Sequence, residues 1–228
     1  AVVDEKNKEI VDSLEFAKKI QKVILPTEER FQELLPDCFV FFQPKDIVSG
    51  DFYWLQEYNG TVYFSVADCF GSGVPGAFMS IVGTSLLSDT LTNTNFREPA
   101  EILHVVQKEY VNALELSEEN ALSIGDMRIV LCAWNKNGTL QYNAANMPML
   151  LLRNGEIIET LINKNGIGFH TQQMQDFDNH SVSLQKGDVL YLFSDGYQNQ
   201  FGGGKGKKFK AAKFKKLLLD NYKEPMEK

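Results

Sequence analysis

Three Asn-Gly pairs separate short runs rich in β-branched and aromatic residues, and they constrain the fold of this chain more than any other feature. The pairs are Asn59-Gly60, Asn137-Gly138 and Asn154-Gly155. Asn-Gly favours the tight turns that join two antiparallel strands. The last two pairs stand directly between strand-like runs, so we predict two β-hairpins and hence antiparallel sheet.

The order of strand-like and helical patterns favours an α+β fold, with sheets packed together and helices outside. A first helix over residues 4–25 precedes strands, two long helices follow, and further strands lead to a last helix. The predicted strands span residues 38–43, 61–67, 129–134, 149–152, 156–160 and 189–193. The later predicted helices span residues 76–92, 99–116 and 211–222.

The N-terminal helix carries an apolar heptad pattern that Asn7 and Gln21 interrupt. Two interpretations stay open: the helix packs on its own domain, or it is a signalling helix that pairs with a second copy in a homodimer. In the second case it joins an upstream sensor domain, in a longer chain, to the domain that follows. We predict a linker helix over residues 1–30 and one domain over 31–228. The apolar heptad positions are Val3, Ile10, Leu14, Ala17 and Ile24.

The charge and the cysteines exclude several classes of protein. A net charge of -7 argues against nucleic acid as a partner, because phosphate contacts need clustered Lys and Arg. Cys38, Cys69 and Cys132 are far apart and form no CxxC pair, so neither a disulfide framework nor a thiolate zinc site is expected. We therefore expect a cytoplasmic protein, with no apolar run long enough to insert into a membrane.

Three aspartates stand where strand-like runs meet glycine: Asp51 after Gly50, Asp68 before a glycine-rich turn, and Asp195 before Gly196. Any one of them alone is typical of a simple turn. A carboxylate at the end of a buried strand is unfavourable unless it is paired or bound to a metal. Hard divalent cations prefer oxygen ligands, so the three together favour a magnesium or manganese site.

The segments that carry these aspartates resemble, in the same order, the long motifs of SpoIIE-like phosphatases of the PPM (PP2C-like) type. They are residues 44–54, 67–80 and 192–203, and residues 142–156 are similar to a further hairpin of the family. Residues 13–26 resemble the helix that precedes this domain in multidomain bacterial signalling proteins. The resemblance implies an α-β-β-α sandwich of two antiparallel sheets flanked by helices.

The resemblance also implies an activity: metal-dependent hydrolysis of phosphoserine or phosphothreonine on a partner regulatory protein, such as an anti-sigma factor antagonist. A water activated between two Mn²⁺ or Mg²⁺ ions would attack phosphorus without a covalent intermediate. By resemblance, Asp68 bridges both metals, Asp51 and the carbonyl of Cys69 serve the second metal, and Asp195 holds the first. Asp51, Asp68 and Asp195 are thus the implied catalytic residues.

Three positions depart from the family pattern: Arg128 stands where a metal-binding Asp is usual, and Phe70 and Ser72 stand where a small polar residue and a His are usual. Three hypotheses follow. Asp126, two residues before Arg128, shares its strand face and leans into the site; or Arg128 binds substrate phosphate, next to the turn of Gly71 and Ser72; or Asp126 and Arg128 pair in a decayed site. We expect a weakened first metal site, and a degenerate phosphatase that binds a phosphoprotein or relays a signal is the alternative function.

Overall fold

The computed structural model describes residues 2–116, 119, 125–168, 176–202, 204 and 206–226. The helices are α1 (Val2–Ile24), α2 (Glu28–Leu34), α3 (Gly73–Asn93), α4 (Pro99–Ala113) and α5 (Ala211–Asn221). The strands are β1 (Asp51–Tyr58), β2 (Thr61–Cys69), β3 (Met127–Trp134), β4 (Thr139–Ala145), β5 (Met149–Arg153), β6 (Glu156–Glu159), β7 (His180–Ser183), β8 (Val189–Leu192), β9 (Phe201–Gly202) and β10 (Lys207–Lys208).

Two antiparallel sheets form the centre of the molecule. The larger has the order β1-β2-β3-β4-β7, the smaller has the order β6-β5-β8, and β9 pairs with β10 in a separate ribbon. Helices α3 and α4 pack on the larger sheet, while side chains of α5 pack with those of the smaller sheet. The layers are therefore helix, sheet, sheet and helix, which confirms the predicted α+β sandwich.

Strand β3 shows why the sheets stack in this way, because both of its faces are apolar. Ile129 and Leu131 belong to the core beneath α3 and α4, whereas Val130 and Cys132 belong to the core between the two sheets. Successive side chains of a strand point to opposite faces, so a strand with apolar side chains on both faces must be covered on both sides. The second sheet and the helices supply those two covers.

The Asn-Gly pairs form the hairpin turns that the sequence predicts. Asn59-Gly60 joins β1 to β2, and Asn154-Gly155 joins β5 to β6, with positive φ at both residues of each pair. Positive φ at both central residues defines the type I′ turn, which suits the twist of antiparallel strands. The turn that contains Asn137-Gly138 joins β3 to β4, so both predicted hairpins are confirmed.

The predicted strand at residues 38–43 is wrong. This segment has no regular secondary structure and pairs with no strand in the described part of the chain, and its side chains are mostly exposed. Phe39 and Phe41 are exposed, while Phe42 packs against Tyr53. A strand needs a hydrogen-bonded neighbour, which β-propensity alone does not supply. Conversely, the strands β1, β7, β9 and β10 and the short helix α2 were not predicted, while the four predicted helices lie within a few residues of their observed ends.

Helix α1 divides into an exposed half and a docked half. Residues 2–13 are all exposed, including the predicted inner positions Val3 and Ile10. Near its end, Gln21 is buried and Leu25, just beyond the helix, joins the core beneath α3 and α4. No helix in the described residues is long and apolar enough to cross a membrane.

An ion pair connects the strands of the smaller sheet to the loop that precedes β8. Arg153, the last residue of β5, donates from Nε to Asp188 Oδ1 at 2.8 Å and from Nη2 to Asp188 Oδ2 at 2.6 Å. The bonds to Arg153 lower the pKa of Asp188, and only 5% of the Asp188 side chain is exposed. The pair therefore favours the folded state whenever Asp188 is ionised.

We predict that Asp188→Asn lowers the melting temperature at pH 7 by several degrees. Because the pKa of Asp188 is lower in the folded state, its contribution is complete above the ordinary Asp pKa of about 3.9 and is lost as the pH falls through the folded value. Thermal unfolding from pH 7 to pH 3 should show the difference from wild type shrinking. Asp220→Asn, on exposed α5, is the control, and an unchanged difference at pH 3 would contradict this explanation.

Candidate metal centre

Three charged side chains stand in one row across β1, β2 and β3. The strand register pairs Asp51 with Asp68, and Asp68 with Arg128. By the two-residue period of a strand, Asp68 shares a face with Val66, and Arg128 shares a face with Val130, both in the cluster between the sheets. The row therefore lies on the inner face of the larger sheet, at the end of its strands.

The fourth charged residue, Asp195, reaches the same place from the smaller sheet. It follows β8 by three residues, and its Oδ2 accepts hydrogen bonds from Nη1 and Nη2 of Arg128, each at 3.2 Å. Nη2 of Arg128 also forms an ion pair with Oδ2 of Asp68. The guanidinium thus bridges one carboxylate from each sheet, with Asp68 only 14% exposed and Asp195 39% exposed.

Asp51 is held by two serines. Ser194 donates its hydroxyl to Asp51 Oδ2 at 2.6 Å, and the Asp51 amide donates to Ser49 Oγ at 3.0 Å. Sequence reasoning missed Ser194, although its place immediately before Asp195 in a strand-end motif was a usable signal. Because Ser194 and Asp195 are neighbours in the chain, the segment after β8 contacts both Asp51 and Arg128.

Burial perturbs the ionisation of the two neighbouring aspartates. Desolvation, followed by the negative charge of Asp51, raises the pKa of Asp68 to about 6. Desolvation likewise raises the pKa of Asp51, against the hydrogen bond from Ser194 that lowers it. For Arg128, burial acts to lower the pKa, but the carboxylates of Asp68 and Asp195 outweigh it and raise the pKa. Carboxylates that resist ionisation when alone are suited to a bound cation.

Two glycines allow the chain to pass close behind this row. A Cβ on Gly50 would lie 2.9 Å from the carbonyl oxygen of Cys69, and a Cβ on Gly76 would lie 2.5 Å from that of Gly71. These approaches are closer than any side chain tolerates, so the Gly50 segment, the turn after β2 and the start of α3 are packed backbone against backbone. In that turn Gly71 and Ser72 are exposed, and Ser72 is the N-cap residue of α3.

A model of the family described as stage II sporulation protein E (SpoIIE) matches residues 58–228. The chain belongs to the SpoIIE family. Asp68, Asp126, Arg128 and Asp195 lie within the matched range, whereas Asp51 precedes it. The family and the fold are those of PP2C-type serine/threonine phosphatases.

Known proteins that are similar to this SpoIIE family member are named as phosphatases or PP2C domains. Phosphoserine phosphatase RsbU of Bacillus subtilis (strain 168) is 25% identical over 191 residues, which is 82% of this chain and 54% of that protein. This chain therefore spans about half the length of that relative. The SiaA-PP2C domain of Pseudomonas aeruginosa superposes with a TM-score of 0.85 at 28% identity, over 97% of this chain and 86% of that domain. The PP2C phosphatase domain of SpoIIE from Bacillus subtilis, with a fragment of its regulatory domain, shares the fold, with a TM-score of 0.53 at 19% identity over 67% of this chain and 43% of that one.

Asp126, one of the metal ligands expected in this SpoIIE family chain, lies apart from the row. A Cβ on Gly168 would be 2.1 Å from Asp126 Oδ1, so its carboxylate is packed against that glycine. Its charge also contributes to raising the pKa of Tyr110, after desolvation and Cys69. The backbone pairing of β2 with β3 extends to Asp126, whose carbonyl accepts a hydrogen bond from the Phe70 amide at 3.1 Å.

The donor set fits one divalent cation better than two. In the described part of the chain no three His, Cys, Asp or Glu side chains are arranged to hold a metal ion together. However, Mg²⁺ is commonly bound through one or two carboxylates, with waters and substrate phosphate completing its shell. The neighbouring carboxylates of Asp51 and Asp68 meet that need. The space between Asp68 and Asp195 is spanned by the Arg128 guanidinium, which cannot ligate a metal.

A buried glutamine connects α1 to the segment that leads into Asp51. Gln21 Nε2 donates to the Ser49 carbonyl at 2.6 Å and to Ser80 Oγ of α3 at 2.8 Å, while its Oε1 accepts from the Ser49 amide at 3.1 Å. Both backbone groups of Ser49 are therefore satisfied by one side chain. Sequence reasoning had noted Gln21 only as an interruption of the heptad pattern, because its partners lie 28 and 59 residues away.

We predict that Gln21→Leu lowers the free energy of unfolding by about 1–3 kcal/mol, because it leaves the amide and carbonyl of Ser49 without their partner. Hydrogen exchange at residues 49–51 should accelerate, and chemical denaturation should give the change in stability. Gln32→Leu makes the same substitution at an exposed position of α2 and should change neither quantity. Equal effects of the two variants would show that the Gln21 bonds are unimportant.

Proposed function

We propose that this SpoIIE family domain hydrolyses phosphoserine or phosphothreonine on a partner regulatory protein, with a divalent cation held at Asp51 and Asp68. The observation that supports the proposal is the register of β1 and β2, which places these two carboxylates side by side on the inner face of the larger sheet. Asp195 arrives at the same edge from the smaller sheet. Burial and the neighbouring charge of Asp51 raise the pKa of Asp68, and a carboxyl group perturbed in this way is a candidate for a functional site.

In this proposal the residues of the chain orient and position the ligand. Ser194 fixes Oδ2 of Asp51, and the glycine contacts hold the Cys69 carbonyl close to Asp51's own segment. A divalent cation, when bound, supplies charge neutralisation for the phosphoryl group and lowers the pKa of a bound water. The exposed turn of Gly71 and Ser72, which follows β2 directly, gives a phosphorylated segment access to the row from solvent.

The partner is proposed from the family and from the name of a relative. RsbU is named a phosphoserine phosphatase, which fits a substrate that carries phosphate on a serine of a protein. We propose a small regulatory protein of the anti-sigma factor antagonist type as the substrate. The net charge of -7 is consistent with a protein substrate, because it disfavours binding of a nucleic acid.

One observation favours a second candidate function, a phosphoprotein-binding module without turnover. The ion pairs of Arg128 occupy carboxylates that a catalytic centre with two metals would use for cations. A domain of this kind would bind the phosphorylated partner and release it unchanged. Binding without hydrolysis is therefore the result that separates the second candidate from the first.

We predict Mn²⁺-dependent release of phosphate from phosphoserine peptides by the wild-type domain, and a loss of roughly 100-fold or more in kcat/KM in Asp68→Asn. The amide keeps the size of the side chain but removes the charge that holds the cation. Phosphate release should be measured by a malachite green assay at several Mn²⁺ concentrations, in parallel with peptide binding by fluorescence anisotropy.

Asp220→Asn makes the same chemical change in an exposed Lys216 pair on α5 and should keep wild-type turnover. Peptide binding without phosphate release at saturating Mn²⁺ would favour the binding module. Equal turnover in wild type and Asp68→Asn would contradict both the assignment of Asp68 and the proposed metal centre.

We also propose that residues 1–30 act as a signalling helix, with α1 pairing with a second copy of the chain. The support is the exposure of apolar residues along its first half, where Val3 is 70% exposed and Ile10 is 57% exposed. Isolated exposed helices of this length are marginal in water without a partner. The docked end, through Gln21, gives such pairing a route to the segment before Asp51.

Removal of residues 1–13 is predicted to shift the domain from dimer to monomer while it leaves the melting temperature nearly unchanged, because residues 2–13 are all exposed. Sedimentation velocity measures the first quantity and scanning calorimetry the second. Keeping Gln21 and Leu25 in the truncated chain separates pairing from docking. Unfolding of the truncated chain would show that the exposed half is needed for the fold and would remove the support for a linker.

A further inference from the structure

Arg128 makes contacts that a metal ion would otherwise make. Its Nη1 and Nη2 both lie 3.2 Å from Asp195 Oδ2, and Nη2 is also paired with Asp68 Oδ2. One carboxylate belongs to β2 of the larger sheet and the other to the segment after β8 of the smaller sheet. The guanidinium therefore joins the two sheets at the edge where their acidic residues meet.

The side chain of Arg128 keeps its positive charge at ordinary pH. A guanidinium stays protonated at all accessible pH values. The three carboxylates of Asp51, Asp68 and Asp195 with this one cation leave an excess of negative charge. One divalent cation balances that excess. A second divalent cation would lie beside the positive guanidinium of Arg128 and would be repelled by it.

We propose that Arg128 takes the place of one of the two divalent cations, so that the centre binds a single Mn²⁺ or Mg²⁺ at Asp51 and Asp68. This inference rests on the proposed function only for the presence of a metal centre. The guanidinium neutralises Asp68 and Asp195 permanently and holds Asp195 in position from the second sheet. The centre then contains two positive groups: the fixed guanidinium of Arg128 and an exchangeable divalent cation at Asp51 and Asp68.

The arrangement of bonds favours this assignment over a role for Arg128 in gripping phosphate. Both terminal nitrogens of the guanidinium already donate to carboxylates inside the site. Three of the five N–H donors point at these carboxylates, so a bidentate grip on phosphate through both terminal nitrogens would have to displace Asp68 or Asp195, exchanging one charge-assisted pair for another. A second metal ion would meet the same obstacle and would gain less, because it would be repelled by the arginine it displaces.

The test is the number of Mn²⁺ ions bound per chain, measured without substrate by equilibrium dialysis with elemental analysis and by the electron paramagnetic resonance of free Mn²⁺. We expect one ion in the wild type and two in Arg128→Asp, which restores a carboxylate at this position. Arg128→Met removes the charge without adding a ligand, so it should still bind one ion, with a Kd lower by roughly tenfold. Arg30→Asp, the same charge change in an exposed Glu33 pair on α2, should match the wild type.

Two ions or none in the wild type would overturn the proposal, as would one ion in a folded Arg128→Asp variant. Should Arg128→Asp fail to fold, as judged by circular dichroism, Arg128→Met decides: a Kd equal to that of the wild type would overturn the proposal. If one ion binds but phosphopeptides are not hydrolysed, the proposed function fails and this inference stands. If two ions bind and phosphopeptides are hydrolysed, the reverse holds.

Discussion

The burial of β2 and β3 on both faces is the constraint on which the rest of the structure depends. With α3 and α4 on one side and the smaller sheet on the other, neither strand offers a solvated face along its length. A charged side chain is tolerated only where the strands end. Asp68 and Arg128 occupy such ends and are paired in the strand register. The charged site therefore lies at the end of the strands, because the apolar interior excludes charged side chains from the rest of their length.

The sequence was sufficient to predict the features that depend on local chemistry. The Asn-Gly turns, the long helices and the convergence of Asp68 and Asp195 follow from turn preference, periodicity and the placement of acids at the ends of apolar runs. The sequence failed where partners decide the outcome. Residues 38–43 have strand-like composition but no strand beside them in the described part of the chain, and the Asp126 carboxylate packs against Gly168, a contact that the strand period does not predict.

The contacts of Gln21 and Ser194 could not be predicted from the sequence either, for a related reason. Gln21 interrupts an apolar stripe, which suggests an exposed polar residue, yet it is buried because Ser49 and Ser80 supply partners for its amide. The Ser194 hydroxyl bonds Asp51 across 143 residues of chain. Side-chain bonds between distant segments depend on the packing of whole layers, and local patterns carry no information about them.

The bridge from Arg128 to both sheets also bears on how this domain reaches its folded state. In many metalloproteins the ligands repel one another until the metal arrives, so folding waits for the ion and a chelator unfolds the chain. Here the carboxylates of Asp68 and Asp195 close around a cation that is part of the polypeptide. The edge of the sandwich therefore needs no metal ion to neutralise these two carboxylates as the chain folds.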